Sequence, residues 1–308
     1  MVIVDFRNIA KIASYSILSG SVACCFPTEA EEISHRIAKR LYCIRLDYPD
    51  EQLIFANDRS PYWRSAYLNK WYSDRGLEPI GYKANREGMS WPFADSKERI
   101  NEVYDAVEQL MSGALCATIV EDRGLEADDI WALLAATATE PIIGISSDSD
   151  WRQLCGPLVT IVDPTTALTY KEPSDIRPKL MAGDRGDNVQ GCNKRKKDGS
   201  LGSTMWGIDG AEKVLLLNDL KELPIDQDVV ERNRVVIQLP TPIWDVKQAR
   251  LSLNSCFIEP KECDNKAILD QFGITVNVRK LLSDKAERDA WIEKLRAKLQ
   301  VMNKEVKK

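Results

Sequence analysis

The sequence predicts an α/β protein with a mostly parallel, twisted sheet flanked by helices, followed by a helical C-terminal region. Short β-branched segments alternate with longer helical patterns in the first part of the chain, which is typical of strands joined by crossover helices. After Pro173 the pattern becomes mainly helical. We therefore expect an α/β domain over residues 1–172 and a helical region over residues 173–308.

The elements of the first domain follow from local composition. Each predicted strand is a short apolar run, and the helix that begins near Thr28 carries Glu29, Glu31 and Glu32 in its first turn, where the helix dipole favours negative charge. The predicted strands cover residues 1–6, 52–56, 114–120, 141–146 and 159–162. The predicted helices cover residues 9–18, 96–111 and 130–138, and one that begins near residue 28 and continues past residue 40.

The helical region contains a strongly basic run, Lys194, Arg195, Lys196 and Lys197, which we expect to be a loop before a glycine-containing turn. Most such runs are simply solvated. Beside a helix N-terminus, however, lysines and main-chain N–H groups can also hold the phosphates of a duplex backbone. The predicted helices of this region cover residues 173–183, 211–217, 231–239, 267–272 and 284–301.

The composition is that of a globular protein, with 44% hydrophobic and 29% charged residues among 308. No apolar run approaches the ~18 residues that cross a bilayer, and the N-terminus shows no signal-peptide pattern, so we expect no membrane association. The eight cysteines lack Cys-x-x-Cys spacing, which favours reduced thiols over a zinc site or disulfide framework. These features predict a cytoplasmic protein.

One acidic segment, Gly-Leu-Glu-Ala-Asp-Asp at residues 124–129, immediately precedes an apolar helical run. Acidic residues are favourable at a helix N-terminus, so a well-capped helix is the simplest interpretation. Other carboxylates also lie where predicted elements end, and ligands of parallel sheets bind beyond the carboxyl ends of the strands. We therefore predict one shared metal site. Its candidate ligands are Asp5, Asp58, Glu126, Asp128, Asp129, Asp148, Asp150, Asp184 and Asp187.

The ligand type predicts the chemistry of this site. Crowded carboxylates in a cleft must either gain protons or bind cations. A site without Cys or His favours Mg²⁺ or Mn²⁺ over zinc. Two such ions, ~3.5–4 Å apart, can activate a water and stabilise the leaving oxygen of a phosphodiester. This chemistry needs no histidine base, and the sequence contains only one histidine, His35.

Net charge does not exclude a nucleic-acid substrate, although its formal value is −5. Without the nine candidate ligands, 38 acidic residues remain against 42 basic ones, and bound cations would offset the cluster itself. Basic side chains that could grip a phosphate follow Asp58, although a solvated basic face is an equally good interpretation. They are Arg59, Arg64, Lys83 and Arg86.

Six short motifs, taken in order, resemble those of the flap endonuclease superfamily of 5′ nucleases. The resemblance runs through residues 1–220 and is greatest to bacteriophage 5′–3′ exonucleases and phage ribonuclease H enzymes. The motifs are the strand ending at Asp5, Phe-Ala-Asn-Asp at residues 55–58 with Trp63 and Arg64, Tyr-Lys-Ala-Asn-Arg at 82–86, Glu-Ala-Asp-Asp at 126–129, Ser-Asp-Ser-Asp at 147–150, and Gly-Asp-Arg-Gly-Asp-Asn at 183–188.

The resemblance implies a role for each matching residue. Ligands of a first metal ion are matched by Asp5, Asp58, Asp128 and Asp148, with Glu126 and Asp129 beside them. Residues around a second ion are matched by Asp150, Asp184 and Asp187. A basic pair near the scissile phosphate is matched by Lys83 and Arg86, so the implied catalytic residues are Lys83, Arg86, Asp148 and Asp150.

The resemblance also implies an architecture. A PIN-like catalytic domain would carry a short arch over residues 82–98, and residues 180–220 would form a helix–three-turn–helix element. That element would bind the duplex, and often a K⁺ ion, near Gly207, Gly210 and Lys213. An insertion that contains the basic run precedes this turn, and Asp209 stands where the family usually has glycine.

We therefore expect a monomeric, divalent-metal-dependent 5′–3′ exonuclease or flap endonuclease that acts on DNA or an RNA–DNA duplex with a 5′ single-stranded end. By resemblance, it would remove RNA primers or 5′-terminal DNA during phage replication in the cytoplasm of an infected bacterial host. A single-strand binding protein or other replisome proteins would be its partners. Two alternatives stay open: a PIN-type single-strand ribonuclease, and a non-catalytic DNA-binding replisome component.

Overall fold

A mostly parallel central sheet with helices around it organises the structure, as the sequence predicts. It is a computed structural model that describes residues 1–18, 29–59, 62–84, 97–195 and 200–260. The strands are β1 (Val2–Asp5), β2 (Leu53–Ala56), β3 (Ala117–Val120), β4 (Ile142–Ile145), β5 (Val159–Val162), β6 (Thr169–Tyr170), β7 (Gly183–Asp184), β8 (Val189–Gln190), β9 (Asn193–Arg195), β10 (Leu201–Met205) and β11 (Phe257–Ile258).

Seven of these strands form the central sheet, in the order β11-β3-β2-β1-β4-β5-β6. Strands β4 and β5 pair in parallel, and β6 pairs antiparallel with β5. The pairs β7–β8 and β9–β10 form two separate antiparallel sheets. The helices are α1 (Phe6–Leu18), α2 (Glu29–Asp47), α3 (Trp63–Ser73), α4 (Lys97–Leu115), α5 (Ala127–Ala136), α6 (Arg177–Ala182), α7 (Ile208–Leu215), α8 (Gln227–Ile237) and α9 (Val246–Leu253).

The chain divides into two compact units. The first is formed by Met1–Phe55, Pro92–Ile119 and Ile258–Lys308, and within it α2 packs against both α1 and α4. The apolar residues of β1 are fully buried, which explains why this strand reads as a continuous hydrophobic run. Buried Arg45 donates to the Leu115 carbonyl at 2.8 Å and to the Glu51 carbonyl at 2.7 Å, so its charge serves to tie backbone segments together.

The second unit is formed by Ala56–Trp91 and Val120–Phe257, and it contains the acidic cavity described in the next subsection. Helix α6 packs against α7 and α8 around a core that includes Leu180, Met181 and Ala211. Helix α5 is almost entirely buried, in keeping with its apolar sequence after Asp129. This burial fixes the N-terminal turn of α5, and with it the acidic segment at residues 124–129.

The structure corrects three sequence predictions. The strand predicted from residue 114 begins only at Ala117, because Ala114 and Leu115 are fully buried as the end of α4 and Cys116 turns the chain with a φ of 50°. The helix predicted over residues 173–183 is shorter, since α6 begins at Arg177 with Pro178 in its first turn. The basic segment predicted as a loop instead contributes strand β9.

The arch, the two C-terminal helices and the domain boundary stay predictions. The arch is described only as far as residue 84, and the helices predicted at 267–272 and 284–301 lie outside the described residues. The two units do not follow the predicted boundary at residues 172 and 173, which stays a prediction about domains. Within the described part of the chain, no helix is both long enough and apolar enough to span a bilayer.

Candidate metal centre

Four carboxylates from three segments of the second unit line one small cavity. Asp128 comes from the first turn of α5, and Asp150 from the 3₁₀ helix Ser149–Leu154 that follows β4. Asp184 ends β7, and Asp187 lies in the turn between β7 and β8. Arg64 and Tyr82 complete the polar part of the lining. The structure thus brings together four of the nine ligands predicted from the sequence.

The 3₁₀ helix after β4 positions Asp150 and also orients Asp128. The Asp148 carboxylate caps this helix by accepting the backbone N–H of Asp150 at 2.9 Å. Trp151 stacks on Trp131 with 4.7 Å between ring centroids, and both rings are fully buried. The indole N–H of Trp151 then donates to Asp128 Oδ1 at 2.8 Å. A packed aromatic pair therefore connects these two acidic segments and fixes their spacing.

A tight turn between β7 and β8 positions Asp184 and Asp187. Asp184 Oδ1 accepts the backbone N–H groups of Gly186 at 2.8 Å and of Asp187 at 3.3 Å. Gly183 has a φ of 74°, and a Cβ there would lie 2.2 Å from the Val189 carbonyl oxygen. Only glycine fits that close approach without strain. The sequence Gly-Asp-Arg-Gly-Asp-Asn therefore encodes a turn that presents two carboxylates to the cavity.

Lys179 is a member of this site that the sequence analysis missed. Its ammonium donates to Asp150 Oδ1 at 2.7 Å and to Asp184 Oδ2 at 2.9 Å. Burial raises the pKa of Asp150 to about 6, with a contribution from Asp148 and against the effect of Lys179. Burial opposes ionisation of Asp184 too, but Lys179 and the backbone N–H groups hold its pKa below the ordinary value. A lone lysine in a predicted helix gives no sequence signal for this role.

Arg64 was expected to bind substrate, but the structure places its guanidinium in the interior. It donates to both oxygens of Asp129, at 2.7 and 2.8 Å, to Glu126 at 2.8 Å and to the Val236 carbonyl at 2.9 Å. The Arg64 side chain is 3% exposed and that of Asp129 is 1% exposed. These contacts indicate a structural role for Arg64, because its N–H groups serve buried protein acceptors; substrate binding by Arg64 stays a prediction.

Asp129 was expected to be a metal ligand, and its surroundings point instead to a structural role. Besides Arg64, it accepts the indole N–H of Trp63 and the backbone N–H of Glu126, each at 3.0 Å. The last of these bonds caps the N-terminus of α5, so the simple helix-cap interpretation is correct for Asp129. Asp128 faces the cavity one residue earlier. Helical geometry thus separates two adjacent aspartates into different tasks.

Tyr82 and Lys83 both contact the carboxylates of Glu126 and Asp187. The Tyr82 hydroxyl lies 2.8 Å from Glu126 Oε2 and 2.8 Å from Asp187 Oδ2, and its single proton can serve one of them at a time. Burial raises the pKa of Tyr82 well above its ordinary value, so the hydroxyl stays protonated. Lys83 contacts the Glu126 carboxylate and has a φ of 58°, held by its N–H bond to the Asp187 carbonyl.

The remaining predicted ligands do not line the cavity. Asp58 Oδ1 accepts the backbone N–H of Ala127 at 2.7 Å, so it caps α5 next to Asp128. Asp148 caps the 3₁₀ helix next to Asp150. Asp5 belongs to the first unit, where it is buried at the end of β1 and accepts the Asn8 N–H at 3.1 Å. Metal binding by Asp5, Asp58 and Asp148 stays a prediction.

A second, wider groove contains part of the region predicted to bind a duplex. It is lined by Lys179 and Arg185 on one side and by residues 206–210, at the N-terminus of α7, on the other. Gly207 is the N-cap of α7, and Lys213 lies exposed in its last turn. Lys194 lies exposed over the Trp206 ring, with its ammonium 5.0 Å from the ring centroid. Arg195 is also exposed and donates to the Pro224 carbonyl at 2.7 Å.

Of the other five predicted substrate residues, the structure describes two. Gly210 packs near the Trp206 ring, which a Cβ would approach to 3.5 Å. Arg59 donates to Glu121 at 2.8 Å, and its side chain is 34% exposed. Arg86, Lys196 and Lys197 lie outside the described residues.

The cavity fits a divalent cation by the chemistry of its donors. Within the described ranges, no three His, Cys, Asp or Glu side chains are already arranged as a ligand shell. Every candidate donor is nevertheless a carboxylate oxygen, the type that Mg²⁺ and Mn²⁺ prefer. Burial, with a smaller contribution from Asp148, raises the pKa of Asp150 to about 6 despite Lys179, so a bound cation would favour its charged form. Asp128, Asp150, Asp184 and Asp187 are therefore the residues suited to hold such ions.

Fold and cavity together define a class: an α/β protein with an acidic, oxygen-lined cavity beyond the end of a sheet strand. No protein-family model matches the sequence. Among solved structures, the bacteriophage T5 flap endonuclease in a pseudo-enzyme–product complex with DNA and metal ions is 18% identical, with a TM-score of 0.57, over 88% of this chain and 98% of that chain. The T5 5′-exonuclease with bound zinc ions is 18% identical, with a TM-score of 0.55, over 88% and 99%. This likeness shows that the chain has the fold of these T5 nucleases.

Proposed function

We propose that this chain is a divalent-metal-dependent 5′ nuclease, an enzyme that hydrolyses phosphodiesters with the help of two ions, Mg²⁺ or Mn²⁺. The observation that carries the proposal is the convergence of Asp128, Asp150, Asp184 and Asp187 on one cavity from three chain segments. The fold supports it, because a structural neighbour is a flap endonuclease in complex with DNA and metal ions.

Each carboxylate has a task in this proposal. Asp150, Asp184 and Asp187 would hold one ion, and Asp128, Asp148 and Asp58 would hold the other. When bound, a pair of such ions activates water and stabilises the leaving oxygen of a phosphodiester. Buried Glu126 and Asp129 would have a supporting role, since Glu126 contacts Arg64, Tyr82 and Lys83 and Asp129 contacts Arg64.

The reacting phosphate needs cations of its own, because negative charge develops on it in the transition state. Lys83 is the candidate among the described residues, since its ammonium lies at the cavity beside Glu126 and 3.9 Å from Asp187. The left-handed backbone at Lys83 is the kind of local strain that persists at functional positions when surrounding bonds hold it. Arg86 is the second candidate by its spacing in the sequence.

The duplex next to the cut would lie along the wider groove and the exposed basic strand β9. Lys194, Arg195 and Lys213 supply charge for the phosphate backbone, and the N-terminus of α7 at Gly207 and Gly210 supplies main-chain N–H groups. Lys196, Lys197 and Arg59 are further candidates. A K⁺ ion near residues 207–210 belongs to the same proposal. The biological role that fits is removal of RNA primers or 5′-terminal DNA during phage replication, by a monomer working beside single-strand binding and replisome proteins.

A cleavage assay separates this function from its alternatives. A 5′-labelled flap duplex, a single strand and an RNA–DNA hybrid are incubated with the full chain, with and without Mg²⁺. We expect Mg²⁺-dependent release of 5′ fragments from the flap or hybrid. Cutting of single-stranded RNA alone would favour a PIN-type ribonuclease. Binding without any cutting would favour a non-catalytic replisome component.

A further inference from the structure

The position of Lys179 has a consequence for metal binding. Its ammonium lies between two carboxylates from different segments, 2.7 Å from Asp150 Oδ1 and 2.9 Å from Asp184 Oδ2. Two anionic oxygens that meet at one cation are also the arrangement that a divalent ion would seek. Lys179 therefore holds the place where Asp150 and Asp184 can be bridged.

The second oxygen of Asp184 does not offer an easy alternative. Asp184 Oδ1 already accepts the backbone N–H groups of Gly186 and Asp187, which form the turn after β7. The oxygen that points away from this turn is Oδ2, and it is the one that Lys179 contacts. An ion that uses Asp184 without disrupting the turn must compete for the same oxygen as Lys179.

The surroundings of Lys179 favour this pairing and also allow it to be released. Its neighbours Pro178 and Leu180 are buried, so the helix backbone is fixed, whereas the lysine side chain itself is 28% exposed. Lys179 and Asp184 also line the wider groove toward Gly207. A flexible lysine stem can therefore carry the ammonium into solvent in this groove without any change in the fold.

We infer that Lys179 is an internal counter-ion that competes with a divalent ion for Asp150 and Asp184, and so weakens one metal site of the nuclease proposed above. In the metal-free protein the ammonium keeps two close carboxylates together. Metal binding replaces one positive charge with two and sends the lysine into the groove. The free energy of metal binding at this site is then less favourable than that of the carboxylates alone, by the free energy needed to displace Lys179.

The test is calorimetric titration of the metal-free full chain with Mn²⁺ at pH 7.5, without nucleic acid. Lys179→Met keeps much of the stem and removes the charge, and we expect it to bind one Mn²⁺ about tenfold more tightly or better, because a like charge at ion-pair distance is gone. Lys179→Arg keeps the charge and should stay near the wild-type affinity. Lys171→Met is an exposed control outside the groove lining, and Arg185→Met removes a charge from the groove itself.

The outcomes separate failure of this inference from failure of the proposed function. Wild-type affinity in Lys179→Met, or weaker binding, would overturn the inference and leave the nuclease proposal intact. Equal tightening in Arg185→Met would show a general charge effect and would also overturn it. Absence of Mn²⁺ binding in the wild type would instead contradict the proposed function. Circular dichroism checks each fold, and Lys179→Gln replaces the Met variant if that variant does not fold.

Discussion

Replacing Arg64 by methionine should destabilise the protein strongly, which would distinguish a structural role from the substrate-binding role expected from its sequence position. The guanidinium is 3% exposed, and its partners Asp129 and Glu126 are 1% and 2% exposed. Methionine keeps the apolar stem but leaves Asp129 charged in the interior. Removing one partner of a buried ion pair costs about 3–5 kcal/mol, and we expect a loss of that size in the free energy of unfolding.

Urea denaturation of wild type and Arg64→Met at neutral pH measures this loss. Arg59→Met is the matched control, since its pair with Glu121 is partly exposed and should contribute about 1 kcal/mol or less. Adding Asp129→Asn to Arg64→Met removes the stranded charge, so the double variant should lose less than the sum of the single variants. A loss below about 1 kcal/mol in Arg64→Met, combined with weaker DNA binding, would refute the structural role.

Three further predictions follow from the same geometry. Gly183→Ala should cost about 1–3 kcal/mol in urea denaturation and weaken Mn²⁺ binding, because its Cβ would meet the Val189 carbonyl at 2.2 Å; unchanged stability would contradict the tight turn. In EDTA, Asp150 should contribute a fall in the free energy of unfolding as pH rises from about 4 to about 6, because its folded-state pKa is raised to about 6 from 3.8; Asp150→Asn should remove this contribution, and the same pH profile in wild type and Asp150→Asn would contradict it. Lys194→Ala with Arg195→Ala should reduce the salt dependence of duplex binding by about 0.9 in slope per lost phosphate contact, measured by fluorescence anisotropy, whereas an unchanged slope would remove β9 from the interface.

Much of the fold was predictable because its signals are local. The apolar runs of β1, β2, β4 and β5 and the acidic start of α5 depend on neighbouring residues alone. Parallel topology then explains why acidic residues at the ends of distant elements come together. The same reasoning misplaced the start of β3. Ala114 and Leu115 are as apolar as strand residues, so the sequence does not distinguish the buried end of α4 from the start of the strand.

Within the site, sequence reasoning identified types of residue better than their tasks. It chose Asp128 and Asp129 together, although only the helical turn decides that one faces the cavity and the other faces Arg64. It assigned Arg64 to substrate binding because the sequence pattern of a cation near acidic motifs is the same whether the side chain is buried or exposed. Lys179 could not be found at all, since its partners Asp150 and Asp184 lie 29 and 5 residues away and no spacing rule connects them.

The central claim is that the carboxylates of this cavity support metal-dependent phosphodiester hydrolysis. Its most direct test is the single-turnover cleavage rate of a 5′-flap duplex in Mg²⁺, compared between wild type, Asp150→Asn and the exposed control Glu140→Gln. We expect Mg²⁺-dependent cutting by wild type and Glu140→Gln, and a rate lower by about 100-fold or more in Asp150→Asn. Full cleavage by Asp150→Asn with unchanged metal binding, or no cleavage by the wild type in Mg²⁺ or Mn²⁺, would contradict the account.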